Sequence, residues 1–301
     1  MSRLARGYVI AIVGITIWST TGVFIGYLIT HYNMPALSVA LWRNWLVCVV
    51  LVPALFIVRR PLLRIKLSQI GLCVFYGLIL ALLNSIWALA VKTNGAAVAT
   101  VLIYSSAGFT AILALWLFKE RLELPKILAI LLSLSGCVMV SNAYSADMWH
   151  LNPLGVSTGL LSGLLFSGYS LLGKETVRRE INPWTAILYS FAFGSVFILI
   201  FNLFPILPGA AGTYKALFPD LPVNGWLILI VLSFPTVLGY GLYNASMHYL
   251  PASIANLLAT LEPVMTAVEA YIFLDERMTI VQVVGSVITL SAVLIVQCEK
   301  G

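Results

Sequence analysis

Charge is what this chain has least of. Asp, Glu, Lys and Arg together make up 9% of its 301 residues, against roughly a quarter in an ordinary soluble domain. A water-soluble fold cannot cover its surface with so few charges. With 61% hydrophobic residues and a mean hydropathy of +1.01, the main solvent is lipid. Histidine is scarce as well: His31, His150 and His248 are far apart and near the ends of apolar runs. No HExxH, paired-carboxylate motif or glycine-rich phosphate loop is present. This weighs against a membrane-embedded enzyme, which needs a nucleophile with a base or clustered metal ligands, and no cofactor or metal is implied. The four cysteines lie in apolar runs or at their ends and form no pairing framework. The net charge of +6 is scattered over thin connections, so a nucleic-acid partner is not expected.

What is abundant is uninterrupted apolar sequence. Ten runs can be read, at 7–30, 36–58, 68–91, 95–118, 124–142, 153–175, 183–205, 225–247, 251–274 and 279–297. Each is about as long as a helix needs to cross a ~30 Å hydrocarbon core. Barrel strands would show about ten residues of alternating polarity, which these runs do not. In lipid each span must satisfy its own backbone hydrogen bonds, so helices follow. The first run is too long, and too bulky at Trp18, Phe24 and Tyr27, for a cleaved signal peptide. With the N-terminus inside, thirteen Lys and Arg residues fall on the cytoplasmic side. Only Lys92, Lys215 and Arg277 fall on the other, and Arg43 is left within a span. The positive-inside rule therefore places both termini in the cytoplasm.

The runs repeat. "NGAAVATVLIYSSAGFTAILALWLFKERLELPKILAILLSLSG" matches "LPASIANLLATLEPVMTAVEAYIFLDERMTIVQVVGSVITLSA" without a gap, at an offset of 156 residues. Earlier in the chain the offset is 148, which puts Trp18 on Phe166 and Met34-Pro35 on Asn182-Pro183. Five spans (7–142) are thus repeated as five (153–298). Five is odd, so the halves are inverted in the membrane. The expected fold is an all-α integral membrane protein of ten transmembrane helices in two inverted five-helix repeats. Inverted repeats are a recurring device of secondary transporters, with a site near the midplane between the halves. The islands Lys119-Glu120-Arg121 and Asp275-Glu276-Arg277 read as turns, and Glu120 and Glu123 before Pro125 suit the first turn of a helix.

Charges inside spans cost about 2.5–3.5 kcal/mol on insertion scales and are functional candidates. Glu262 falls near mid-membrane, and Pro263 after it cannot donate a backbone hydrogen bond, so the ninth span should kink or open there. That makes Glu262 a candidate binding or proton site. Glu269 lies seven residues on, at nearly the depth of Arg43, and the two are read as a gating or structural ion pair joining the halves. Trp18, Asn84, Trp87, Tyr104, Tyr169, Tyr240, Tyr243 and Asn244 occupy span interiors. With Glu262 they form the candidate substrate-binding set: aromatic walls and a few polar groups, suited to a small amphipathic zwitterion. Gly155, Gly159 and Gly163 mark a smooth stripe on the sixth span.

The run "LEPVMTAVEAYIFLDERMTIVQVVGSVITLSAVLIV" and the segment "MPALSVALWRNW", with Arg43, resemble the drug/metabolite transporter superfamily in its ten-helix form with two EamA-type repeats. The resemblance covers nearly the whole chain. It departs from internal symmetry at Ala107, where the second half has Pro263, and at Phe191, where the first half has Arg43. Within the superfamily the chain is most similar to bacterial amino acid exporters, including those of aromatic amino acids. The resemblance implies a bacterial inner-membrane secondary transporter that exports aromatic and other apolar amino acids by alternating access. It leaves open proton antiport or uniport, and the oligomeric state. Drug or metabolite efflux and nucleotide-sugar or phosphate-ester transport are the alternatives. Doubly charged phosphates would want more cations than Arg43 within the spans.

Overall fold

The computed structural model describes residues 2–141, 143–144, 153–203, 218–274 and 278–298. The second charged island, 275–277, lies outside them. The described elements are α1 (Arg3–His31), α2 (Ala36–Arg59), a short 3-10 helix (Arg60–Leu63), α3 (Leu67–Tyr104), α4 (Ser106–Phe118) and α5 (Leu124–Val140) in the first half. The second half has α6 (Pro153–Arg178), α7 (Pro183–Leu203), α8 (Val223–Ser246), α9 (Ala252–Ala259), α10 (Glu262–Leu274) and α11 (Ile280–Cys298). No strand occurs among the described residues. The protein is an all-helical bundle of ten spans.

The span count emerges once two irregularities are understood. α3 is helical over 38 residues, which would be about 57 Å if straight, nearly twice a hydrocarbon core. It is not straight. Gly168 of α6 lies against Ile79, whereas Gly163, five residues earlier, lies against the carbonyls of Leu102 and Ile103. The chain must reverse between residues 79 and 102, so α3 supplies the third span and the start of the fourth, which α4 completes. The apolar segments are accordingly Leu67–Val91 and Val98–Phe118. The second irregularity is the ninth span, divided into α9 and α10.

The halves dock by exchange of equivalent helices. α1 packs along α8 as α3 packs along α6, while α2 meets α7 and α5 meets α11. Swapping first-half helices for their second-half equivalents maps this pattern onto itself. Close approach is set by glycine. A β-carbon at Gly136 of α5 would lie 2.7 Å from the Gly285 carbonyl oxygen and 3.0 Å from the Thr289 amide nitrogen of α11. The Gly159–Gly163 part of the stripe on α6 packs on the fourth span in the same manner. Overpacking a tight contact costs typically about 1–3 kcal/mol. Gly136→Val should therefore lower the unfolding temperature of the detergent-solubilised protein by several degrees. Gly108→Ala, where a β-carbon meets nothing within 4 Å, should not. Equal effects at the two positions would remove the packing argument.

The charged turn after α4 does something its sequence does not announce. Lys119 ends α4 in the left-handed region, with φ 55° and ψ 33°. Glu120 then reaches into the other half. Its Oε1 accepts the Ala252 amide at 2.9 Å and its Oε2 accepts the Ser253 amide at 3.4 Å and the Ser253 hydroxyl. The carboxylate thus caps α9, and the dipole it complements is not that of α5, as its neighbours in sequence suggest. Glu123 is the residue before α5 but makes no side-chain cap. Lys126 Nζ stands 3.6 Å from Glu120. On the other side of the same connection, Lys174 of α6 donates to the carbonyls of Met247 (2.7 Å) and Leu250 (2.8 Å). The α8–α9 connection is held at both its amides and its carbonyls, on the face of the bundle where α1 begins and Arg6 stacks over Tyr249.

Candidate functional site

Both repeats break a helix at the same place. In the fourth span α3 ends at Tyr104 and α4 begins at Ser106; in the ninth, α10 begins at Glu262, which is Ser106 plus the repeat offset of 156. Both breaks tighten to i→i−3 bonds: Ser105 N to Leu102 O at 3.2 Å, and Leu261 N to Leu258 O at 3.0 Å. Pro263 accounts for the second, because it brings no N–H. The first has alanine at the corresponding position. There the Ser105 hydroxyl donates to the Leu102 carbonyl at 2.6 Å, and such back-bonding competes with the helical ladder and bends it. The freed carbonyl of Thr260 receives the Cys137 thiol at 3.4 Å, so this cysteine has a bonding role and is more than apolar filler.

The two breaks meet across the interface between the halves. Tyr104, last residue before the first break, donates its hydroxyl to Glu262, first residue after the second. Ser106 Oγ donates to Asn256 Oδ1 of α9 at 2.9 Å.

Beside the breaks lies a cavity of about 430 Å³, within the usual range for small-molecule sites. Trp18, Phe166 and Tyr240 form its aromatic wall: the Trp18 ring is 4.5 Å from Tyr240 and 5.8 Å from Phe166, centroid to centroid. Arg43, Asn84, Trp87, Thr100, Tyr104, Ser141, Glu262 and Thr266 also line it. Ile25 and Trp87 come late in the first and third spans, and Arg43 early in α2. The cavity is therefore displaced toward the face opposite the start of α1.

Of the nine candidate binding residues, the structure brings six to this wall: Trp18, Asn84, Trp87, Tyr104, Tyr240 and Glu262. Tyr169, Tyr243 and Asn244 are not on it. They belong to two polar clusters beneath, between the cavity and the terminal face. Tyr76 donates to Asn244 Oδ1 at 2.7 Å, and Asn244 Nδ2 donates to the Tyr169 hydroxyl at 3.1 Å. Tyr243 and Ser170 hydroxyls are 2.7 Å apart, and Asn256 Nδ2 donates to Ser170 at 2.7 Å. Within each cluster the groups bond to one another, and all are nearly or fully buried, so together they act as a floor.

The Arg43–Glu269 ion pair read from matched depths is not formed. Arg43 Nη2 donates to Asn84 Oδ1 at 2.8 Å, and Glu269 Oε1 accepts the Ser19 hydroxyl at 2.6 Å. Matching height did not bring the groups together, because each side chain finds a neutral partner on the adjacent helix. Arg43 joins the cavity wall, whereas Glu269 does not. Sequence reasoning missed Phe166, Thr100 and Thr266 as lining residues. Phe166 had a usable signal, since the repeat aligns it with Trp18.

The comparisons with known proteins agree with this architecture. The EamA-like transporter family model matches residues 5–142 and 153–298. A probable amino-acid metabolite efflux pump of Escherichia coli K12 is 26% identical over 298 residues, spanning 98% of this chain and 95% of that protein. A protein of the same description from Salmonella typhimurium LT2 is 26% identical over 95% of this chain and 93% of its own. An uncharacterized transporter of Archaeoglobus fulgidus is 28% identical over 76% of this chain and 75% of its own. A solved crystal structure superposes with a TM-score of 0.76 at 15% identity over 98% of both chains, a likeness of fold. The chain belongs to the EamA-like transporter family and is a multi-pass membrane transporter rather than an enzyme.

Proposed function

We infer that the protein is a secondary transporter that exports amino acids, preferring aromatic and other apolar ones, across a bacterial inner membrane by alternating access. One observation carries this reading: a cavity between the inverted halves, walled by Trp18, Phe166 and Tyr240, with the single carboxyl Glu262 at a helix break on its wall. Broken helices near mid-membrane are where transporters build substrate sites. The relatives described as amino-acid metabolite efflux pumps support the same substrate class. The terminal face is taken as cytoplasmic from the distribution of Lys and Arg, so this conformation faces outward, with its floor and the Glu120 cap closing the inner side. Energy would come from a gradient, by proton exchange at Glu262 or by uniport down the amino acid's own gradient.

The test is uptake of labelled phenylalanine, leucine, threonine and aspartate into proteoliposomes, with and without a pH gradient. Saturable counterflow of phenylalanine and leucine, stronger than that of aspartate, is expected. Indifference to all four, alongside transport of a cationic drug or a nucleotide sugar, would reject the substrate class and leave a carrier of another kind.

A further inference from the structure

We propose that Arg43 and Asn84 form a carboxylate subsite in the cavity, with an ammonium subsite made by Glu262 and Tyr104 on the same lining, so that an α-amino acid is held as a zwitterion in one orientation. This deepens the amino-acid reading above and rests on it.

Arg43 is buried and Glu262 half-buried, and the two do not pair with each other. Arg43 is 6% exposed and lines the cavity with Glu262. A cation and an anion on one wall in a low-dielectric surrounding would normally settle on each other if their task were structural. Here each is held by a neutral group instead. Among the described residues Arg43 makes no ion pair, and its guanidinium donates to the amide oxygen of Asn84. Glu262 accepts from the phenol of Tyr104. Both groups are oriented by neutral partners, and neither is paired with the other.

Next come the groups left over. Arg43 Nε and Asn84 Nδ2 are both buried without a hydrogen-bond partner. These are donors, and a buried donor without a partner is costly. Because the Asn84 oxygen is already engaged by Arg43, its NH₂ is the end left to donate. A guanidinium and an amide NH₂ linked through the Asn84 oxygen suit a planar anion with two acceptor oxygens, which is a carboxylate. The complementary end is a lone carboxylate beside a hydroxyl, suited to a primary ammonium with three donors. The aromatic wall of Trp18, Phe166 and Tyr240 then takes the side chain. Asn84 and Tyr240 are equivalent positions at the offset of 156, so one half supplies polar recognition where the other supplies a ring.

The probes are phenylalanine, phenethylamine (no carboxylate) and 3-phenylpropionate (no ammonium). Each is tested as a competitor of labelled phenylalanine, and by the rise it causes in the unfolding temperature of the purified full chain. Wild type should prefer phenylalanine to either analogue by at least tenfold. Arg43→Gln and Asn84→Ala should each weaken phenylalanine about tenfold and 3-phenylpropionate similarly, while leaving phenethylamine within threefold. Glu262→Gln should do the reverse, sparing 3-phenylpropionate. Asn84→Ala keeps the inference testable if Arg43→Gln does not fold. Wild type binding phenethylamine as well as phenylalanine would overturn the subsite, as would loss of all three ligands in equal measure in Asn84→Ala. If wild type binds none of the three, the amino-acid reading itself fails and this assignment goes with it.

Discussion

Glu262→Gln raises the amino acid concentration for half-maximal transport about 10- to 100-fold, the worth of roughly 1.5–3 kcal/mol for a hydrogen bond to a charged group. The substitution nearly preserves size. Glutamine retains an oxygen that accepts from Tyr104, so the break between α9 and α10 and the contact between the halves are kept. What is lost is the capacity of this wall position to carry a negative charge. The comparison is Glu269→Gln, seven residues along the same helix. That carboxyl accepts from Ser19 and is not on the wall, so its substitution should change the half-maximal concentration by less than threefold. Counterflow of phenylalanine in proteoliposomes reads both. Equal effects at the two positions would mean that the wall position of Glu262 is irrelevant to the substrate. The same pair of variants tests coupling. If protons are exchanged at Glu262, stimulation by a pH gradient disappears in Glu262→Gln and survives in Glu269→Gln.

The contrast between these two carboxyls shows what the sequence could convey. Ten apolar runs and an offset of 156 residues carry the spans, the repeat and the inversion, because hydropathy and length are one-dimensional properties. They also carry depth, since each residue adds about 1.5 Å along a helix, and depth alone placed Glu262 at mid-membrane. Azimuth is harder to read. One residue turns a helix by about 100°, and a count along the chain does not say which neighbour a side chain meets. That is why Arg43 and Glu269 matched in height yet chose Asn84 and Ser19. It is also why Tyr169, Tyr243 and Asn244, polar and central, fall in the floor rather than on the wall. The break at Ser105 was hidden for another reason. A proline announces a missing donor, but a serine hydroxyl turning back on Leu102 looks like any other serine in a helix. The cap supplied by Glu120 was hidden because its partner lies 132 residues away, while Pro125 and α5 stand close by in sequence.

Glu120 is the second position where a large effect is expected, and the effect is on conformation. On the proposed alternating-access reading, with the face bearing the start of α1 taken as cytoplasmic, the inner ends of the halves approach one another only while the cavity faces outward. Glu120 joins them there, binding the first-half turn after α4 to the start of α9. Removing an N-cap costs about 0.5–2 kcal/mol, and Glu120→Ala also takes the carboxylate from Lys126, 3.6 Å away and nearly buried. Together these favour the inward-open state by roughly tenfold or more, at 1.4 kcal/mol per factor of ten. The readout is a single cysteine at Ser170, in the floor, in a chain whose own Cys48, Cys73, Cys137 and Cys298 are replaced. Its labelling by a membrane-impermeant thiol reagent from the face bearing the termini should speed up about tenfold in Glu120→Ala. It should change less in Ser253→Ala, which removes only one donor. Glu175→Ala, which breaks an exposed pair with Arg179 on the same face, should leave the rate alone, because such pairs contribute little. The Glu120 and Ser253 effects should also fall short of additive, since each substitution removes part of the same cap. Unchanged labelling in Glu120→Ala would confine the residue to capping α9 and would require another contact to hold the inner side shut.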